Sequence, residues 1–239
     1  MTYPEAIQPY YDADGLVGDP RFIGLAAVKS SRWSGGNQLL FSSIDMLIRH
    51  KLECLTQDDR YRFTNAVTRC QVNGEKGIYD KNPPYDGKRR DDNLSWDDIM
   101  SVACISKILG FPFAQEIVDR ARAHNWVMSN NGTFYGGAIT KPWNKGFYLT
   151  CVGIKPDWLT RLMMKKAIDC NINENPADAG ARQTMWLMTE AAFGVADIDE
   201  KIEEWRAHVR NLYGGINGVL ALYYGENHPF AKFMLWGVV

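Results

Sequence analysis

The run from Leu94 to Gly110 constrains this chain more than any other stretch. Ser95 and Asp98 form a capping-box pattern, and Leu94 with Ile99 supplies the hydrophobic staple. Behind them Ile99, Val102, Ala103, Ile105, Ile108 and Leu109 recur at helical spacing. Gly110 is the stop that a left-handed helix cap requires. A helix this apolar must be buried, so the segment predicts a fold of helices packed on helices.

The same signals recur on either side. Leu40, Ile44, Leu47, Ile48 and Leu52 predict a helix of roughly four turns beginning near Asn37. Thr56 with Asp59 is a second capping box, opening a helix through Cys70 that Asn73-Gly74 is expected to end. Pro112 sits in the first turn of a further helix reaching about Asn125. Residues 126–155 break the pattern: Asn130-Asn131-Gly132 and Gly136-Gly137, flanked by Phe134, Tyr135, Ile139, Phe147, Tyr148 and Leu149, predict a short β-hairpin. Helices are predicted again over 157–171, 180–193, 197–213, 216–224 and 229–236. Gly110 and Gly194 are each followed, at the same offsets, by Arg-Ala-His (Arg122 to His124 and Arg206 to His208), an echo of helix–Gly–helix units.

The resulting expectation is a mainly α protein of stacked αα-hairpins with a small β-hairpin insertion. The stack either forms an incomplete α/α toroid or an irregular bundle. Residues 1–34, rich in Pro and Gly, read as an extended N-terminal arm, and 35–239 as a single α-helical domain. The polar loop 74–93 is of a length that is often functional.

Composition excludes several function classes. A formal net charge of −1 provides no global field toward nucleic acid or an anionic membrane, and neither is expected as a partner. No apolar run approaches the roughly 20 residues that span a bilayer, and Met1 to Glu5 has no signal-peptide character. The five cysteines are widely spaced without a C-x-x-C pair, which argues against a disulfide scaffold or zinc site and for a reducing compartment. No metal and no cofactor are expected.

Candidate chemistry centres on residues 88–99, where three cations and four carboxylates surround the helix start. Asp91, Asp92 and Asp98 are the candidate catalytic acids or bases, as in a glycoside hydrolase or a lyase. Such chemistry needs a distant partner, for which Asp178, Glu190 and Glu226 are equal candidates. The competing account is that carboxylates in a first turn simply satisfy the helix terminus. His50, His124, His208 and His228 include no pair at metal-binding helical spacing. Neither G-x-S-x-G nor a P-loop occurs.

Trp96, Asn130, Asn131, Tyr135 and Trp143 have the flat rings and amides that a sugar-binding wall needs, or they form a hairpin turn with core aromatics. Arg161, Lys165 and Lys166 are a modest basic cluster. Phe230, Phe233, Met234, Leu235 and Trp236 form an apolar stretch that has to dock, either on its own core or on a neighbour, so they are the expected oligomer interface.

The run D-D-N-L-S-W-D-D-I-M-S-V-A-C-I-S-K-I-L-G, with Y-D-K-N-P-P-Y-D-G before it and H-N-W-V-M-S-N-N-G after it, resembles uncharacterised proteins of tailed bacteriophages. The helix-hairpin rhythm is similar to that of α/α-toroid proteins, among them glycoside hydrolases and polysaccharide lyases. With that resemblance, the docking-prone arm, the apolar C-terminal stretch and the missing catalytic signature favour a non-catalytic phage protein in the host cytoplasm or the virion, self-assembling or binding virion or host components. The alternative is a carbohydrate-active hydrolase or lyase. No catalytic residue carries over, because the resemblance includes no defined active-site motif.

Overall fold

The computed structural model describes residues 4, 5, 8, 11 and 16, then 38–83, 94–128, 141–174 and 187–193, with 168–174 described by backbone alone. Helix α1 (Gln38–Lys51) organises these residues. It buries Leu39, Leu40, Phe41, Ile44, Met46, Leu47 and Ile48, and with them Ser43, Asp45 and Arg49. Each large apolar side chain stabilises the fold by roughly 1.5–3 kcal/mol relative to leaving it in water.

The first turn of α1 contains no acidic residue, yet its free N–H groups are satisfied from elsewhere in the chain. The Leu39 N–H donates to the Lys81 carbonyl at 3.1 Å, and the Leu40 N–H donates to Asp98 Oδ1 at 2.9 Å. Asp98 belongs to α3 (Trp96–Leu109), the second deeply buried helix, which packs along α1.

Between them lie α2 (Gln57–Arg69) and a two-stranded antiparallel sheet, β1 (Gln71–Val72) and β2 (Glu75–Tyr79). The Thr56–Asp59 capping box forms in both directions, as the sequence predicts. The chain departs from expectation immediately afterwards. Helix α2 ends at Cys70, and Asn73-Gly74 turns a hairpin instead, with φ of 52° and 74°. Two successive positive φ values suit Asn-Gly at a tight hairpin turn, which is why this dipeptide is a hairpin signal rather than a helix stop.

Two other local expectations are corrected. The Ser95 hydroxyl accepts no cap hydrogen bond from the first turn of its helix and is instead engaged with the Asp98 carboxylate, which also accepts from the Leu40 N–H of α1. Phe147, Tyr148 and Leu149 are helical, within α5 (Pro142–Cys151), where Pro142 takes the first turn.

Helix α3 stops at Gly110 in the left-handed conformation, with the Gly110 and Phe111 N–H groups both donating to the Ser106 carbonyl. Helix α4 (Phe113–Ala123) then packs on β2. Their approach leaves no room at Gly77 (φ 83°), where a Cβ would lie 2.2 Å from the Glu116 carbonyl oxygen. Helix α6 (Trp158–Glu174) packs on α5, again across a glycine: a Cβ on Gly146 would meet Thr160 Cγ2 at 2.5 Å.

The described residues are therefore mainly α with one small antiparallel sheet, and their helices alternate in character. Helices α1 and α3 are buried on nearly all sides, whereas α2 and α4 bury one stripe. Leu16 lies in the core and Tyr11 packs against it, so these points of the predicted arm fold onto their own domain. Among the described residues no helix is long and apolar enough to cross a membrane. Residues 129–140, which hold the turn signals of the hairpin expected within 126–155, lie outside the described residues, as do the helices expected beyond residue 193.

Candidate functional site

The N-terminal ends of α1, α3 and α5 hold the sequence-predicted candidates that fall among the described residues: Trp96, Asp98 and Trp143. Asp91, Asp92, Asn130, Asn131, Tyr135, Phe230, Phe233, Met234, Leu235 and Trp236 lie outside them, as do Asp178 and Glu226. Trp96 and Trp143 come together, half-buried and edge to face, with ring centroids 5.8 Å apart. Trp143 also meets Phe147, so the pair is rooted in the core.

Asp98 is fully buried. Burial pushes its carboxyl up to about 7, against the Leu40 N–H hydrogen bond, the Lys81 charge and the neighbouring Ser95 hydroxyl, which favour ionisation. Its Oδ2 has no hydrogen-bond partner. A carboxyl titrating near neutrality is what a general acid needs, but this one faces helix N–H groups rather than an open cleft. Its observable work is capping α1. Glu190, another candidate partner, pairs with Lys51 at 3.4 Å.

A second polar cluster escapes sequence reasoning. Asp45 and Arg49 stand one turn apart inside α1, and Arg49 Nε donates to both Asp45 oxygens at 3.1 Å. The Tyr11 hydroxyl donates to Asp45 Oδ2 and accepts from Arg49 Nη2 at 3.2 Å and from Arg62 Nη2 at 3.1 Å. Asp59 completes the cluster, accepting from Arg62 at 2.6 Å and from the Thr56 hydroxyl at 2.7 Å. Arg62 also lies over the Tyr11 ring, 4.1 Å from its centroid.

Burial and the Asp45 carboxylate push the Tyr11 hydroxyl far above its ordinary range, so it remains a donor. Burial alone would raise Asp59, but the Thr56 hydroxyl and N–H, with Arg49 and Arg62, hold it below the usual carboxylate range. The signal available in the sequence is a charge pair at i, i+4 inside an otherwise apolar helix. The cluster ties Tyr11 to α1 and α2 through hydrogen bonds and ion pairs among these groups.

The described thiols are free, and Cys104 hydrogen-bonds Cys151 inside the protein. Burial pushes the Cys104 thiol well above its ordinary range, the reverse of an activated nucleophile. His124 caps α4 and lies 3.5 Å from Glu75, a helix-terminal placement that the sequence predicts. No cluster of His, Cys, Asp or Glu among the described residues is arranged to hold a metal ion.

The surface offers a different kind of site. On α6 and the turn before it, Ile154, Trp158, Leu159 and Leu162 are all exposed, Trp158 at 74%. Arg161, Lys165 and Lys166 are exposed on the same helix. On α2, Tyr61 is 68% exposed, one turn from the exposed Asp58, and Glu53 is exposed in the connection between α1 and α2. Large apolar side chains grouped at a surface mark interaction sites. Comparison with protein-family models, with curated proteins and with solved structures finds no match to this chain.

Proposed function

We propose that this is a non-catalytic assembly protein of a tailed bacteriophage, self-associating head to tail through the outer face of α6. The exposure of Trp158, Leu159, Leu162 and Ile154 on one face carries the reading. Their cationic neighbours disfavour a symmetric contact of that face with itself, because like charges would meet. The patch of Glu53, Asp58 and Tyr61 has the opposite charge and an aromatic anchor, so it suits the other half of a heterologous contact. Virion or host components would dock through the same basic, aromatic face.

The underlying architecture in this proposal is a stack of αα-hairpins, α1 with α2, α3 with α4 and α5 with α6. The contrast between enclosed α1 and α3 and one-sided α2 and α4 supports it. Sedimentation velocity over a micromolar concentration series tests the function. Association should weaken in Trp158→Ser/Leu162→Ser and, separately, in Asp58→Lys. A protein that stays monomeric throughout is not an assembly protein of this kind.

The carbohydrate-active reading is favoured by one observation, the half-buried Trp96–Trp143 pair at the ends of α3 and α5. It requires reducing-sugar release from a polysaccharide, abolished by Asp98→Asn in a protein that still folds.

A further inference from the structure

Beside the α6 face, a groove of about 200 Å³ runs between the C-terminal end of α5, the 153–156 turn, α6 and residues 192–193. Among the described residues three cations line it, Lys107, Lys155 and Arg161, and no carboxylate does. Lys107 Nζ donates to the Thr150 carbonyl at 3.1 Å, neutralising the negative end of α5 where it borders the groove. Arg161 lies over the Phe193 ring at 5.9 Å from its centroid, and Lys165 reaches the same ring at 6.0 Å. Asp157, the adjacent carboxylate in sequence, accepts from the Thr160 N–H and hydroxyl as the cap of α6 and is not part of the lining. The floor is apolar, with Met164 buried and Ala192 and Phe193 half-buried.

We infer that this groove is a binding site for a small oxyanion carried on an apolar or aromatic stem. Like charges held together without a counter-charge repel, and an oxyanion relieves that repulsion while the guanidinium offers two parallel donors. Lys107 and Lys155 add point charges on the other walls. The stem lies on Met164 and Phe193, where the cation–π contacts already fix the ring. The volume suits a single functional group with one ring, below the roughly 300 Å³ at which drug-sized ligands begin. The groove borders the proposed association face: Ile154 and Arg161 belong to both, whereas the exposed Trp158, Leu159 and Leu162 take no part in its lining, so small-probe binding tests it separately from oligomeric state.

Isothermal titration of the full chain at low salt, using inorganic phosphate, phenyl phosphate and uncharged benzyl alcohol as probes, tests it. Phenyl phosphate should bind saturably and at least about tenfold more tightly than inorganic phosphate, a difference of about 1.4 kcal/mol. Benzyl alcohol should not bind. Lys155→Gln/Arg161→Gln should weaken phenyl phosphate by about tenfold or more with an unchanged thermal melt, whereas Lys166→Gln, on the same helix outside the groove, should leave it unchanged. Absence of saturable heat, equal binding of the two phosphates, or equal weakening by Lys166→Gln would overturn the site. The last outcome would mean that only the general positive field of α6 had been measured.

Discussion

Asp45 and Asp98 are both carboxylates sealed inside the protein, 2% and 0% exposed, but the middle of α1 and its N-terminal end surround them differently. Asp45 is bonded to Arg49 and Tyr11, and Arg62 and Asp59 extend the cluster. Asp98 has a helix N-terminus to serve and one oxygen without a partner. Around the first, the neighbours supply both counter-charge and donors. The second moves toward its neutral form, because the few donors around it and the nearby Lys81 do not compensate for complete loss of water. Burial alone thus decides little about a carboxylate. The number and charge of its donors decide whether it stays ionised.

That contrast can be broken most forcefully at Arg49. Arg49→Met leaves Asp45 buried with its main counter-charge removed and is expected to destabilise the fold by about 3–5 kcal/mol in urea unfolding. Asp45→Leu/Arg49→Met, which removes both charges, should recover a large part of that loss. A double variant as unstable as the single one would show that packing, not an orphaned charge, dominates.

Asp98→Asn sharpens the other half. The folded protein keeps the Asp98 proton up to about pH 7, whereas the unfolded chain releases it near 3.8, so Asp98's contribution is fully present below about pH 4 and is lost as pH rises to 7. Asparagine keeps an acceptor for the Leu40 N–H and carries no charge. The variant should match the parent near pH 4 and exceed it near pH 8 by up to about 4 kcal/mol, since each tenfold change in proton affinity is worth about 1.4 kcal/mol. Identical pH profiles for the two proteins would mean that Asp98 is not held neutral.

Smaller effects are expected at the edges of the cluster. Tyr11→Phe deprives Arg49 and Arg62 of an acceptor and Asp45 of a donor, for a loss of about 1–3 kcal/mol. It should also raise the rate of proteolysis near residue 11 if the hydroxyl is what ties the arm down. Thr56→Ala removes a cap, at about 1 kcal/mol. It should also shift acid unfolding to higher pH, because the stability Asp59 contributes is lost as pH falls through a pKa that Thr56 holds down. An unmoved acid midpoint would assign that depression to the arginines alone.

Much of this is legible in the residues. The helix at Leu94–Gly110, the Thr56–Asp59 box and the Gly110 stop are local, set by side chains within a few positions of the backbone groups they satisfy. The Asn73-Gly74 turn is equally local but ambiguous, because the dipeptide serves both as a helix terminator and as a hairpin turn. Phe147 to Leu149 mislead for a related reason: a short apolar run near glycines fits strand and helix alike.

The candidate site is less legible. Asp98 is recognisable as a helix-start carboxylate, but its bond to Leu40, 58 positions away, has no sequence periodicity to reveal it. The same holds for the union of Tyr11 with Arg62 and for Lys107 meeting Lys155 and Arg161 across a groove.

The sequence by itself determined several of the described helices, where some of them begin and stop, and which of their faces are apolar, because backbone satisfaction and periodicity act over a few residues. Only the tertiary structure decided which helix each charge serves. Two carboxylates with the same chemistry acquire different surroundings when distant parts of the chain bring them different partners, and that choice is made in space.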